Sequence, residues 1–277
     1  MRLQELENRE VLALRAGGRA DGTIYLARLA LRRLAGRVGA SFDVADVDVE
    51  CAGLYAGDLW ESLCGRSVRR ELGCLRAAWR RAHVTPCPWS ELPPIRVDPV
   101  PLRIVTADEE RLLRSAAGER LSLWLAVALE TGARPGEIAA LRSADVLRDR
   151  AAILIQSRAN QRTKTRGSSR MNAVSAETHK KLVHIASLVE NVWCADPRLV
   201  GPRVRQALYR LCELVGVPRV MLQDLRRTVA TRMAMAGISP AIAARVLGHA
   251  SPVTTMMYYT RVLEADAAAA VARTWVL

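Results

Sequence analysis

The chain has 277 residues, half of them hydrophobic and a quarter charged, which excludes a disordered chain and fits one large globular domain or two ordinary ones. Its formal net charge is +13, and only Lys164, Lys180 and Lys181 of its 41 basic residues are lysine, so 38 are arginine. A chain this basic calls for a polyanionic partner, and the planar arginine fork matches phosphate oxygens. The longest apolar run, Leu121–Leu129, is too short to span a bilayer, and the charged start MRLQELENRE is no secretory signal. No membrane partner is therefore expected. The six cysteines (51, 64, 74, 87, 194 and 212) hold no C-x-x-C pair and the four histidines are scattered, so neither a metal nor a cofactor is expected.

Charge is uneven along the chain. Residues 1–98 carry 15 Arg against 13 acids, whereas residues 99–277 carry a net +11. A proline-rich stretch, PCPWSELPPIRVDPVP (86–101), lies at the break and reads as a joint. The reading is a helical first domain over 1–95, a linker over 96–104 and a second domain over 105–277.

In the first domain, residues 24–39 carry Leu26, Leu29, Leu34 and Val38 on one helical face. Residues 47–63 suggest a second helix interrupted near Gly53 and Gly57. A third, 68–83, sets Leu72, Leu75 and Trp79 against Arg69, Arg70, Arg76, Arg80 and Arg81. Those arginines suit either a solvated face or a DNA backbone. In the second domain, Thr106 and Glu109 form a capping box ahead of a helix over 108–117. Residues 121–132 are apolar nearly all round, hence a buried helix ended by Gly132. Pro135 opens the next helix. AAILIQ (151–156) and RMNAV (170–174) read as strands of a two- or three-stranded hairpin sheet. Helices follow at 176–190, 203–215 and 222–236, then from Ser239-Pro240 to Gly248, from Ser251-Pro252, and over 264–274. The fold class is mainly α with a small antiparallel β-sheet.

Four segments carry the chemistry: TGARPGEIAALRSADV (131–146), QRTKTRGSSRMNAV (161–174), LQDLRRTVATRMAMAGI (222–238) and LGHASPVTTMMYYTRV (247–262). Breaking a phosphodiester without a metal needs a nucleophile, an acid for the leaving group, and cations for the developing charge. Arg134 and Arg226 suit the last role, with Glu137 one turn from Arg134 to orient it. Between Arg150 and Ala176 stand six basic residues and no acid, among them Arg158, Arg162, Arg166 and Arg170 around a single lysine, Lys164. Tyr258 and Tyr259 are adjacent phenols, and a helix turning about 100° per residue cannot aim both at one phosphate.

In order and spacing these segments resemble the boxes of the tyrosine recombinase (phage integrase) family. The resemblance covers the second half of the chain; the first half is similar, more loosely, to the family's helical, SAM-like core-binding domain. It implies a DNA-binding domain joined to an α+β catalytic domain as a C-shaped clamp on double-stranded DNA. It implies a site-specific recombinase, or integrase, that cleaves and rejoins strands through a 3′-phosphotyrosyl link. The catalytic set would be Arg134, Lys164, Gln223, Arg226, His249 and Tyr258, supported by Glu137 and Asp224. Tyr258 lies nine residues after His249, as in the family. Arg158, Arg162, Arg166, Arg170, Arg69, Arg76 and Arg80 would contact DNA. The expected assembly is a monomer in solution and a tetramer on synapsed DNA, with DNA-bending or directionality factors as further partners, in the cytoplasm (a bacterial nucleoid or a phage-infected cell). Only some twenty residues precede Thr23, so the two-domain, Xer-like plan is the nearer match and no arm-binding domain is expected. The Ala-rich 264–274 helix is a candidate exchange element between protomers.

The sequence departs from the family at one position. Its H-x-x-R box reads Gln223-Asp224-Leu225-Arg226. Glutamine can donate to a phosphate oxygen but cannot titrate. A catalytically weakened relic acting as a DNA-binding protein is thus the alternative, and a type IB topoisomerase is the rival with similar chemistry.

Overall fold

The computed structural model describes residues 1–97, 103–156, 169–194, 196–249 and 251–260. The chain divides into two compact units, Met1–Val100 and Pro101–Leu277.

The first unit is helical: α1 (Leu3–Ala16), α2 (Asp21–Val38), α3 (Val49–Ser62), α4 (Gly65–Ala82) and the single turn α5 (Pro88–Glu91). Its core joins Leu3 and Leu6 of α1, Leu31 and Leu34 of α2, Tyr55 and Leu59 of α3, and Leu72, Leu75 and Trp79 of α4. Trp89 of α5 completes it, edge-on to Trp79 at 5.3 Å between ring centroids and to Tyr55 at 6.0 Å. Two readings of the sequence change here. Helix α1 was not anticipated, although Leu3, Leu6, Val11 and Leu14 line its buried side at helical spacing. Helix α3 runs unbroken through Gly53 and Gly57.

The second unit holds α6 (Ala107–Ala116), α7 (Glu119–Thr131), α8 (Pro135–Ala139), β1 (Ala152–Ile155), β2 (Arg170–Ala173), α9 (Ala176–Leu188), α10 (Pro197–Val215), α11 (Leu222–Met235) and α12 (Pro240–Leu247), then a helical segment, α13, over 252–260. Helix α7 is the central element and packs against α6, α8, α9, α10 and α11. Its side chains Leu123, Trp124, Leu125, Val127 and Ala128 are buried, as a helix apolar on all faces must be. Thr106 caps α6 by accepting from Glu109 N, while the Glu109 carboxylate accepts from Thr106 N at 2.9 Å. Helix α10 starts six residues earlier than the sequence suggests, capped by Asp196 and continuing through Pro202.

β1 and β2 pair antiparallel, with Ile153 opposite Asn172 and Ile155 opposite Arg170. Val146 bridges to Ile153 on the other side of β1. The register has an unusual result. The buried face of β2 is polar, carrying Arg170 and Asn172, while Met171 faces solvent. Both inward side chains point at the turns that carry the candidate site.

Candidate active site

Two glycine turns shape the site. Gly132 ends α7 with φ +60°, in the left-handed region that side chains disfavour. A Cβ there would also meet Leu247 Cδ2 at 2.6 Å and Val229 Cγ1 at 3.0 Å. Gly248 ends α12 with φ +68°, and a Cβ would sit 2.8 Å from the Arg170 guanidinium carbon. The close approach at each turn is what brings Arg134, Arg226 and His249 together.

Arg134 is the N-cap of α8, and Pro135 fixes the helix start immediately after it. Glu137, one turn on, accepts from Arg134 N at 2.9 Å and from Nη1 at 2.8 Å. Arg134 Nη2 donates to the Gly248 carbonyl at 3.0 Å. The same Glu137 carboxylate accepts from Arg170 Nη2 at 2.7 Å. Burial alone would raise the Glu137 pKa, but Arg170 and then Arg134 outweigh it and hold the carboxyl below its usual range.

Arg170 was expected on the DNA backbone. It is instead buried, its Nε donating to the Val246 carbonyl at 2.7 Å and its Nη2 to Glu137. Asn172, two residues along the same face, donates to the Thr131 carbonyl at 2.9 Å and to Val246 O at 3.2 Å. Together they tie β2 to the ends of α7 and α12. Both supports were missed in the sequence, where only the two-residue alternation of β2 could have marked them.

Arg226 lies in α11 and is 6% exposed. Its Nη1 donates to the Gly132 carbonyl at 2.7 Å. Its Nη2 is buried and has no hydrogen-bond partner among the described residues. Burial and then the Arg134 charge lower its pKa to about 10, so it stays cationic at neutral pH. Tyr258 is within electrostatic range of this guanidinium, as the weakest of the influences on its charge.

His249 follows Gly248 directly and is half-buried. Its Nδ1 lies 2.7 Å from the hydroxyl of Thr255, which is fully buried. Burial, followed by the charges of Arg226, Arg134 and Arg170, lowers the imidazole to about 4. The ring is therefore neutral at pH 7.

The two phenols of α13 differ. Tyr258 packs its ring against Val229, Ala230 and Leu247. Tyr259 is 8% exposed and donates its hydroxyl to the Ile238 carbonyl, which occupies that oxygen structurally. Burial raises its pKa as well. Gln223 is exposed in the first turn of α11, one turn before Arg226. Asp224 is buried; it accepts from Met221 N at 2.8 Å and from Arg227 Nη1 at 2.7 Å, so it steadies the helix start and the arginine beside Arg226.

The remaining candidates are elsewhere. Lys164, Arg158, Arg162 and Arg166 lie outside the described residues, as does the 264–274 segment. Arg69 and Arg80 are exposed on α4. Arg76, expected to contact DNA, donates Nε and Nη2 to the Trp89 carbonyl at 3.1 and 2.6 Å and braces α5 onto α4.

A Phage integrase family model matches residues 102–265. The chain belongs to the phage integrase family. Its fold is that of solved tyrosine recombinases. It is similar to the Tn1549 transposon integrase in complex with transposon right end DNA, with 17% identity, TM-score 0.75, and coverage of 94% of this chain and 95% of that one. It is also similar to a lambda integrase dimer bound to a COC′ core site, with 17% identity, TM-score 0.74, and coverage of 94% and 77%. XerA recombinase matches at 20% identity and TM-score 0.50 over 95% of this integrase-family chain and 97% of XerA. At these identities the likeness is one of fold. No curated protein sequence matches. Among the described residues of this chain, no helix is long and apolar enough to cross a membrane.

Proposed function

We propose that this integrase-family chain is a site-specific DNA recombinase that breaks and rejoins strands through a 3′-phosphotyrosyl intermediate. The observation that carries the reading is Arg226 Nη2, a buried guanidinium nitrogen without a hydrogen-bond partner among the described residues. Leaving such a donor unsatisfied costs about 1–3 kcal/mol, and more for a charged group. A buried, unsatisfied guanidinium donor within electrostatic range of Arg134, His249 and Tyr258 suits an anion.

In this reading the scissile phosphate sits against Arg134, Arg226 and His249, which hold its non-bridging oxygens. Arg134 exchanges its bond to the Gly248 carbonyl for a phosphate oxygen, while Glu137 keeps the guanidinium in place. The Tyr258 oxygen attacks phosphorus as its phenol proton passes to solvent, and the arginines carry the negative charge that builds on the phosphate oxygens. The P–O5′ bond breaks, the 3′ phosphate is left on Tyr258, and Lys164 gives a proton to the departing 5′ oxygen. A 5′ hydroxyl from a second duplex reverses the step. The bond energy stays in the covalent link, so no nucleotide cofactor takes part. Double-stranded DNA is the partner, with a tetramer of this chain on two synapsed duplexes. Solved relatives include a lambda integrase tetramer bound to a Holliday junction, which supports the self-association.

The test begins with selection of bound duplexes from randomised DNA, followed by a nicked suicide substrate built on the selected site. A covalent protein–DNA adduct is the expected result. Tight, specific binding without any adduct supports the relic reading. Relaxation of plain supercoiled plasmid with no dependence on the site supports a topoisomerase.

A further inference from the structure

The bond between His249 and Thr255 has only one arrangement that leaves no buried donor unpaired. Thr255 is 0% exposed, and among the described residues its hydroxyl meets one acceptor, His249 Nδ1, at 2.7 Å. A threonine hydroxyl has one proton to give. If Nδ1 carried the ring proton, Nδ1–H would donate to the threonine oxygen and the hydroxyl proton would be buried with no acceptor among the described residues, which is unfavourable. If the hydroxyl donates to Nδ1, the buried hydroxyl proton has its acceptor. The ring proton then resides on Nε2, the nitrogen at the far side of the ring from Thr255.

We infer that Thr255 is a positioning residue that locks His249 in its Nε2–H tautomer, so that a neutral imidazole presents one N–H donor to the anion held by Arg134 and Arg226. The second half of the statement rests on the recombinase reading; the tautomer does not. The electrostatics agree. Burial, and then three guanidinium groups, Arg226, Arg134 and Arg170, against a single carboxylate, Glu137, keep the ring from gaining a second proton at neutral pH. A neutral ring has one donor only, and which nitrogen holds it decides whether His249 can bond a phosphate oxygen at all. With Nδ1–H, the nitrogen left toward the anion would be a lone pair facing negative charge. The geometry of the chain also suits the role. His249 follows the left-handed Gly248, and Thr255 lies in α13, three residues before Tyr258 and therefore about one helical turn from it. Thr255 thus ties the donor and the nucleophile-bearing helix to each other.

The test uses the full chain labelled with 15N and a long-range 1H–15N correlation of the His249 ring at neutral pH, without DNA. Wild type and Thr255→Ser should show one tautomer, protonated at Nε2. Thr255→Val keeps the side-chain shape without the hydroxyl and should show a mixture or a switch to Nδ1–H. On the nicked suicide substrate, Thr255→Val should form adduct more slowly by at least about tenfold, below a ceiling of about 10²–10³-fold for deleting one preorganised donor. DNA affinity should hold, and Thr255→Ser should recover most of the rate. A wild-type ring protonated at Nδ1 overturns the inference. So does a Thr255→Val variant that changes the tautomer yet cleaves at the wild-type rate. If Thr255→Val fails to fold, the wild-type and Thr255→Ser spectra decide. A wild-type chain that never forms adduct but shows the Nε2–H ring refutes the recombinase reading and leaves the tautomer assignment standing.

Discussion

Glu137 is shared by two arginines from different elements: Oε1 accepts from Arg134 Nη1 at 2.8 Å and Oε2 from Arg170 Nη2 at 2.7 Å. The carboxylate is 2% exposed at its side chain, and Arg226 lies close by with its own charge. One buried anion therefore offsets a cluster of guanidinium groups that would otherwise repel. Removing one partner of a buried pair typically costs about 3–5 kcal/mol. Glu137→Gln should lower unfolding free energy by an amount in that range, read from denaturant midpoints at constant m-value. A loss under about 1 kcal/mol would show that the arginines are stabilised by something else. Arg170→Lys should also destabilise, because a single ammonium cannot replace a fork that bonds Val246 O and Glu137 at once.

Acid should unfold the protein through His249 first. In the unfolded chain an imidazole titrates at about 6.5, whereas in the fold His249 titrates at about 4. Between those values the unfolded state takes up a proton that the folded state refuses, so stability falls as pH drops from about 6.5 toward about 4. Glu137 works further down: its pKa is depressed in the fold, so its stabilisation is present above the ordinary carboxylate value and is lost as pH falls through the folded one. His249→Gln should flatten the first window and leave the second. Urea titrations at pH 7 and pH 5 measure this, and equal pH slopes in the two proteins would count against a depressed His249.

Gln223→His should keep DNA affinity and raise the adduct-forming rate or leave it unchanged. Gln223 is exposed and one turn before Arg226, so the change disturbs no packing and restores a titratable ring. Adduct kinetics on a suicide duplex check this. A folded Gln223→His protein that no longer cleaves would mean that the glutamine is fitted to this site in its own right.

DNA affinity should fall steeply with salt, since each neutralised phosphate releases counterions. On α4 the arginines should separate into two kinds. Arg69→Ala or Arg80→Ala should reduce the slope of log K against log salt by about 1 each if those exposed side chains meet phosphates. Arg76→Ala should leave the slope unchanged and cost stability, because its guanidinium is spent on the Trp89 carbonyl. An Arg76→Ala protein of full stability and reduced slope would reverse that assignment.

Local chemistry made much of the second unit legible in the sequence. The Thr106 capping box, Gly132 and Gly248 as helix stops, and Pro135 and Pro240 as first-turn residues all act through near neighbours, and each stands where it was read. Arg170 and Arg76 were misread because a charged side chain in a local window looks solvent-facing. Their burial depends on Glu137 and on a backbone carbonyl at Trp89, partners that only tertiary structure supplies. Trp89 was hidden by the prolines around it, which signal a linker by composition yet here frame a core tryptophan. Thr255 carried no signal of its own, since its importance lies in a bond to a ring six residues away across a helix break.

The central claim is that Tyr258, and not Tyr259, is the nucleophile. Tyr259 donates its hydroxyl to the Ile238 carbonyl, whereas Tyr258 stands nine residues after His249 and within electrostatic range of Arg226. Tyr258→Phe removes one oxygen and almost no volume, so folding and DNA binding should survive while adduct disappears. Tyr259→Phe should still form adduct, with some loss of stability from the missing hydrogen bond. The direct measurement is to trap wild type on a nicked suicide site, digest the complex and map the DNA-bearing peptide by mass spectrometry. The account predicts the phosphotyrosyl link on Tyr258; a link on Tyr259, or adduct persisting in Tyr258→Phe, would contradict it.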